Sequence, residues 1–202
     1  MITFKEFPKI PRFSRNCVVT EKIDGTNASI YVPELPEDAT TSSGRVMPFL
    51  TGSRTRWIFP ENDNYGFSRW AYEHVDELLQ LGPGHHFGEW WGQGIQRKYG
   101  LQEKRFSLFN VGRWQDQHGT NEVWQGVYPA KAIAPACCYV VPILGVGEFC
   151  DLTVINALDI LKTGSKAATF FKPEGIVIFH EASGHLYKKT LEKDESPKSQ
   201  NG

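Results

Sequence analysis

Residues 20–27 read TEKIDGTN, with the apolar runs CVV (17–19) before and ASIYV (28–32) after. How the chain passes through this stretch decides the fold. Side chains alternate along a strand, so Lys22 and Asp24 are expected on one face and Ile23 on the other. Gly25 permits a tight reversal, and Thr26-Asn27 suit its exit. The local reading is therefore a hairpin over 17–32 turning at Gly25. A solvated lysine beside such a turn would be unremarked, so any chemistry for Lys22 rests on the remainder of the chain.

At 202 residues the chain has room for one large domain or two small ones and a substantial core. Hydrophobic residues make up 40% and aromatic residues 13%, which excludes a disordered chain. The net charge of −1 excludes a polycation, so a nucleic-acid partner requires segregated charge. Some segregation is visible: a basic arm (Lys5, Lys9, Arg12, Arg15), Arg54 and Arg56, Arg97-Lys98 and Lys104-Arg105, against acidic groups at Glu34, Glu37, Asp38, Glu61 and Asp63. The four cysteines (17, 137, 138, 150) form no CxxC and are expected to be free thiols. The opening MITFKEFPKIPRFSRN carries charges and prolines where a secretory signal needs an apolar run. No run of about 18 apolar residues exists. A cytoplasmic location is the expectation.

Strand-like alternation recurs at 45–59 (turning near Thr51-Gly52), 85–92, 104–114, 137–147 and in a final hairpin over 174–180 and 185–191. Pro142 makes 137–147 an edge or irregular strand. Phe67, Trp70, Ala71, His74, Val75, Leu78 and Leu79 recur at spacings of three and four, predicting a helix from Ser68 to Leu81 that Gly82-Pro83-Gly84 stops. Asp151 is the expected N-cap of a second helix, with Leu152, Ile155, Leu158 and Leu161 inward. Residues 33–44 read as a Pro/Ser/Thr-rich loop and 192–202 as a polar tail. The expected class is α+β: mostly antiparallel sheets with flanking helices.

Six short stretches carry chemistry, in order: EKIDGTN (21–27), GSRTRW (52–57), FGEWWG (87–92), FSLFN (106–110), EGIVI (174–178) and LYKKT (186–190). In this order they resemble the nucleotidyltransferase motifs of ATP-dependent polynucleotide ligases and mRNA capping enzymes, with the RNA ligase 2-type family nearest. The resemblance covers residues 21–190. It implies an ATP-grasp-like nucleotidyltransferase core of the DNA/RNA ligase type, over 1–202 as a single domain without a C-terminal OB-type domain. A lysine attacks the α-phosphate of ATP only when unprotonated, and a free lysine has a pKa near ~10.4, so burial or nearby cations must favour the neutral amine. Arginine, a further lysine and a divalent metal can supply those cations and neutralise charge on the transferred phosphoryl group. Such a metal takes hard oxygen ligands, as carboxylates provide.

By this resemblance Lys22 is the nucleophile that forms lysyl-AMP. Glu21 and the backbone beside it would contact the adenine edge, with Gly25 also at the nucleotide. Arg54 would bind phosphate or ribose, with Arg56 its rival. Glu89 would hold the ribose hydroxyls. Phe106 would stack on adenine, with Phe109 its rival, since alternation puts the two on opposite faces. Asp24 and Glu174 would hold Mg2+ or Mn2+, and Lys188 would contact the α-phosphate, with Lys189 beside it in the nucleotide site and its rival for that contact. Trp90-Trp91 reads as packing. Arg97-Lys98 fits an RNA contact and a solvated loop equally.

One departure concerns the last stretch. The family carries Lys-x-Lys there, whereas Lys188 and Lys189 are adjacent and face opposite ways unless a bulge intervenes. The resemblance implies an ATP-dependent ligase that joins 5′-phosphate and 3′-hydroxyl ends of RNA, with a protein partner able to add substrate grip. A minimal DNA ligase, a GTP-using capping enzyme and a non-catalytic nucleotide-binding module remain as alternatives.

Overall fold

The stretch around Gly25 is not a hairpin. In the computed structural model, which describes residues 3–35, 39, 44, 46–192 and 194, β1 (Asn16–Lys22) and β2 (Thr26–Val32) belong to different sheets. Glu37, Asp38, most of the loop 33–44 and most of the tail lie outside the described residues. The amides that a hairpin would pair across its strands are satisfied from far away: Asp24 N–H donates to the Tyr99 hydroxyl and Gly25 N–H to the Glu89 carboxylate. Ile23 just before them is buried in the core. The linker is thus a crossing between two layers.

After β2 come β3 (Leu50–Ser53), β4 (Trp57–Ile58), β5 (Gly84–Gly92) and β6 (Lys104–Leu108). Then follow β7 (Trp114–Gln115), β8 (Ala132–Ile133), β9 (Cys138–Val140), β10 (Ile143–Glu148), β11 (Gly175–His180) and β12 (His185–Thr190). The first sheet has the order β10-β1-β11-β12 and the second β4-β3-β2-β5-β6-β9, while β7 and β8 pair with each other. Pairing is antiparallel except in β6–β9 and β7–β8. The α+β class with mostly antiparallel sheets is therefore what the residues form.

Residues 137–147 make two strands instead of one. Pro142, which has no amide to give a ladder, separates β9 in the second sheet from β10 in the first. Between β1 and β12 the chain enters the second sheet at 23–25 and returns at 141–142, and the two passages touch: Glu21 N–H donates to the Pro142 carbonyl at 2.9 Å. The β1–β10 register slips between Val19 and Thr20, a bulge beside this contact.

The turn near Thr51-Gly52 lies at 54–56 instead, since both residues pair within β3. The helix expected over 68–81 is broken. α1 (Phe67–Glu73) ends at His74, whose backbone (φ −118°, ψ 32°) is not helical, and α2 (Val75–Leu78) runs into a 3-10 turn that Gly82 stops at φ 71°. α1 lays Phe67 and Trp70 on Trp90 and Phe106. α3 (Asp151–Lys162) covers the outer face of the first sheet. Cys150 is its N-cap, not Asp151. Its inward residues are Val154, Ala157, Leu158 and Leu161, while Leu152 and Ile155 are exposed. The four cysteines are free thiols. Among the described residues no helix is long and apolar enough to cross a membrane.

Packing of β6 against β5 is set partly by glycine. A Cβ at Gly88 would lie 2.5 Å from both the Phe106 ring and the Ser107 carbonyl, whereas one at Gly145 meets nothing closer than 4.0 Å. Overpacking of this kind costs about 1–3 kcal/mol. Urea unfolding of Gly88→Ala is expected to show that loss, with Gly145→Ala close to wild type.

Candidate active site

β1 ends at Lys22, whose Nζ lies 2.6 Å from Glu174 Oε2 at the entry to β11. The Glu174 side chain is 3% exposed and that of Lys22 22%. One step along the crossing, the Asp24 carboxylate accepts from Arg97 Nε at 2.9 Å, and the same guanidinium donates to the Lys172 carbonyl. Glu89 Oε1 accepts from Gly25 N–H at 3.0 Å. Only glycine lets the backbone approach β5 so closely, because a Cβ at position 25 would sit 2.5 Å from the Trp90 carbonyl and 2.7 Å from Trp91 Cβ. Burial pushes the Glu89 carboxyl up to about 7, with Glu174 and Asp24 adding to the rise and Lys22 and the Gly25 amide opposing it. Three carboxylates thus share one neighbourhood with an amine and a guanidinium.

Among the described residues no trio of His, Cys, Asp or Glu forms a ready-made metal site. The donors at hand are hard carboxylate oxygens. They suit a cation of the Mg2+ or Mn2+ type, held by one or two protein carboxylates with phosphate and water completing the shell. Asp24 and Glu174, the expected pair, both reach this pocket, and each already faces a cationic side chain.

Register decides between the two late lysines. β1 and β11 pair Lys22 with Gly175 and Thr20 with Val177, and β11 and β12 pair Val177 with Lys188 and Ile176 with Lys189, without a bulge. Directly paired residues share a face. Lys188 therefore lies on the face of Lys22. Lys189 lies on the α3 face with Glu21 and Ile176, and its Nζ meets Asp194 at 3.2 Å. The expectation of Lys189 in the nucleotide site is corrected accordingly. A groove of about 450 Å³ between α3 and β12 is bordered by both lysines but by none of the carboxylates around Lys22.

Phe106 is also corrected. It pairs with Trp90 and is fully buried against Phe67 and Trp70. Glu89 pairs with Ser107 on the opposite face. Phe109 N–H continues that ladder to the Phe87 carbonyl, which puts the Phe109 ring, 38% exposed, on the Glu89 face. Trp90 and Trp91 are both buried.

The Glu21 carboxylate turns away from Lys22. It accepts from the Ser165 hydroxyl at 2.6 Å and from the amides of Lys166 and Ala167 at 2.7 and 3.1 Å. Burial still raises its pKa against these donors. Only its backbone is left for a nucleotide. Arg54 is exposed in the β3–β4 turn, with no hydrogen bond to another described residue. Arg56 donates to the Asn62 carbonyl at 3.4 Å.

Sequence reasoning did not find Arg97 as the partner of Asp24, nor Tyr99. Tyr99 is buried edge-on to Trp91, and its hydroxyl takes the Asp24 amide. Both reach the site from a loop in which Gln96, Lys98 and Tyr99 have positive φ. The basic pair Arg97-Lys98 was the available signal, but nothing in the sequence tied it to Asp24.

Two sheets meet at a lysine-bearing crossing, where Glu89 of β5, Asp24 of the crossing and Glu174 just before β11 surround the amine, and this is a nucleotidyltransferase fold. Residues 15–190 match the family described as RNA ligase, and the chain belongs to that family. Solved structures of Naegleria gruberi RNA ligase share the fold. A glutamate-to-alanine mutant with ATP and Mn is 16% identical, with 89% of this chain and 51% of that chain covered and a TM-score of 0.55. An arginine-to-alanine mutant with ATP and Mn is 20% identical, with 89% and 51% covered and a TM-score of 0.54. The enzyme with PPi is 19% identical, with 87% and 49% covered and a TM-score of 0.52. The chain spans about half the length of these solved relatives. No curated protein matches it.

The raised Glu89 pKa has a stability consequence. The folded state holds a proton up to about pH 7 that the unfolded carboxyl releases near 4.5. This contribution is therefore full below about 4.5 and is lost as pH rises through 7. Without nucleotide or divalent cation, the urea midpoint of the wild type is expected to gain a component that falls across this window. Glu89→Gln should flatten it, and an unchanged slope would contradict the assignment.

Proposed function

We propose that the chain carries the catalytic core of an ATP-dependent RNA ligase, sealing 5′-phosphate to 3′-hydroxyl ends. The observation that carries this reading is the Lys22 amine, 2.6 Å from Glu174 and on the same sheet face as Lys188, within a neighbourhood that Asp24, Glu89 and Arg97 complete. Membership of the RNA ligase family supports it, as does a fold shared with a ligase solved with ATP, Mn and PPi.

The reaction has three displacements at phosphorus. Lys22 Nζ attacks the α-phosphorus of ATP, forming an N–P bond as pyrophosphate leaves. The 5′-phosphate of the RNA then takes the AMP, and the lysine amine is restored. Finally the 3′-hydroxyl attacks the activated 5′-phosphate, a phosphodiester forms and AMP leaves. Glu174 is the nearest acceptor for a proton of the amine and aims it by their contact. Lys188 neutralises charge on the α-phosphate from β12, on the far side of β11 from Lys22. Glu89, held by the Gly25 amide, accepts from ribose hydroxyls, and Phe109 offers its ring to adenine. Arg54 reaches phosphate from its exposed turn. Asp24 and Glu174 would hold the divalent cation, which supplies positive charge that favours the unprotonated amine and screens the triphosphate.

The test is incubation with α-labelled ATP and Mg2+ or Mn2+, followed by a denaturing gel. Wild type should carry the label and Lys22→Ala should not. Lys188→Ala should slow labelling about 10²-fold or more, the scale of losing one electrostatic contact to a transferring group, and Lys189→Ala much less. Label retained in Lys22→Ala would overturn the mechanism. Labelling by GTP and not ATP would move the reading to capping chemistry. Sealing of nicked DNA but not RNA would change the substrate.

A further inference from the structure

On the Glu89 face of the second sheet, four rings form a row outside the lysine pocket. His85 stacks on Phe87 with centroids 4.2 Å apart and planes at 26°. On its other side it stacks on Trp57 at 5.6 Å and 22°. Tyr31 closes the row, 5.7 Å from His85 and 6.1 Å from Trp57.

The row is built, not incidental. The Ser29 hydroxyl fixes His85 Nε2 at 3.1 Å. Gly52 leaves the space that Trp57 crosses, since a Cβ there would lie 3.3 Å from its ring. Tyr31 packs against the small cluster of Met47 and Leu50. Yet Trp57 is 42% and Phe87 49% exposed, so the row does not serve the core. Strand spacing places Phe87 about 7 Å and His85 about 13 Å along β5 from Glu89. The row thus begins beside the proposed nucleotide pocket and leads away from it, with the exposed Arg54 in the adjoining turn.

We infer that this row is a platform on which bases of the RNA strand being joined stack, a substrate subsite that rests on the RNA ligase reading. Phe87, His85 and Trp57 are near-parallel and partly exposed, with Tyr31 edge-on to His85, and such rings accept any base through its π-face. A neighbouring arginine suits the phosphates between those bases. Continuity with the nucleotide face brings a strand bound there to the activated end.

Trp57→Ala and Trp57→Phe of this chain test the inference with a labelled, 5′-phosphorylated single-stranded oligoribonucleotide. Anisotropy should show binding weakened about tenfold or more in Trp57→Ala, the effect of losing one base–aromatic stack. The slope of log K against log salt should not change, because no phosphate contact is lost. Trp57→Phe should restore most of the affinity. Quenching of the wild-type tryptophan fluorescence by the oligonucleotide should shrink in both variants. Enzyme–AMP formation from ATP should be unaffected.

Unchanged oligonucleotide affinity in Trp57→Ala overturns the platform. So does an equal fall in enzyme–AMP formation, which would assign the row to the ATP site, or a protein ligand that saturates the row and leaves RNA binding intact. If the wild type forms no enzyme–AMP while RNA binding still depends on Trp57, the ligase reading fails and the platform stands. If it seals RNA but binding ignores Trp57, the platform alone falls.

Discussion

The hydrogen bond from Glu21 N–H to the Pro142 carbonyl ties together the two passages by which the chain moves between its sheets. Each passage alone would be a loose linker. Joined, they fix the last turn of backbone before Lys22 against both layers. The bulge between Val19 and Thr20 gives β1 the local twist it needs to reach this point. The amine is therefore held at a seam, where side chains of both sheets can reach it. A lysine in mid-strand would see only its own sheet.

That seam sets the electrostatics. Glu174 comes from the first sheet, Glu89 from the second, and Asp24 from the crossing itself. Burying carboxylates together is unfavourable unless cations or amide donors compensate. Lys22 and the Gly25 amide offset part of this at Glu89, where burial still holds the carboxyl above its ordinary range, and Arg97 faces Asp24. A divalent cation among these carboxylates would relieve the remainder.

The parts of this site that the sequence revealed are those fixed by order and alternation. Lys22, Glu89 and Glu174 stood out because short stretches recur in one order, and the preference for Lys188 over Lys189 followed from the resemblance to the family's last stretch. The choice between Phe106 and Phe109 did not, because alternation shows that two residues face apart without showing which face is inward. That needed the partner strand and α1. The hairpin at Gly25 failed for a related reason: a glycine turn between two strands looks the same whether they pair together or with distant neighbours. Arg97 and Tyr99 were out of reach because a loop with three non-glycine residues at positive φ delivers them, and such a conformation leaves little trace in composition. The break at His74 is a backbone event inside an unbroken apolar period.

The Glu21 clamp on Ser165, Lys166 and Ala167 reaches beyond local packing. It fastens the strand that carries Lys22 to the segment that leads into Glu174, so that amine and carboxylate are joined by one set of contacts while Glu89 comes from the other sheet. In the proposed reaction this clamp would keep the amine and its proton acceptor in register with each other.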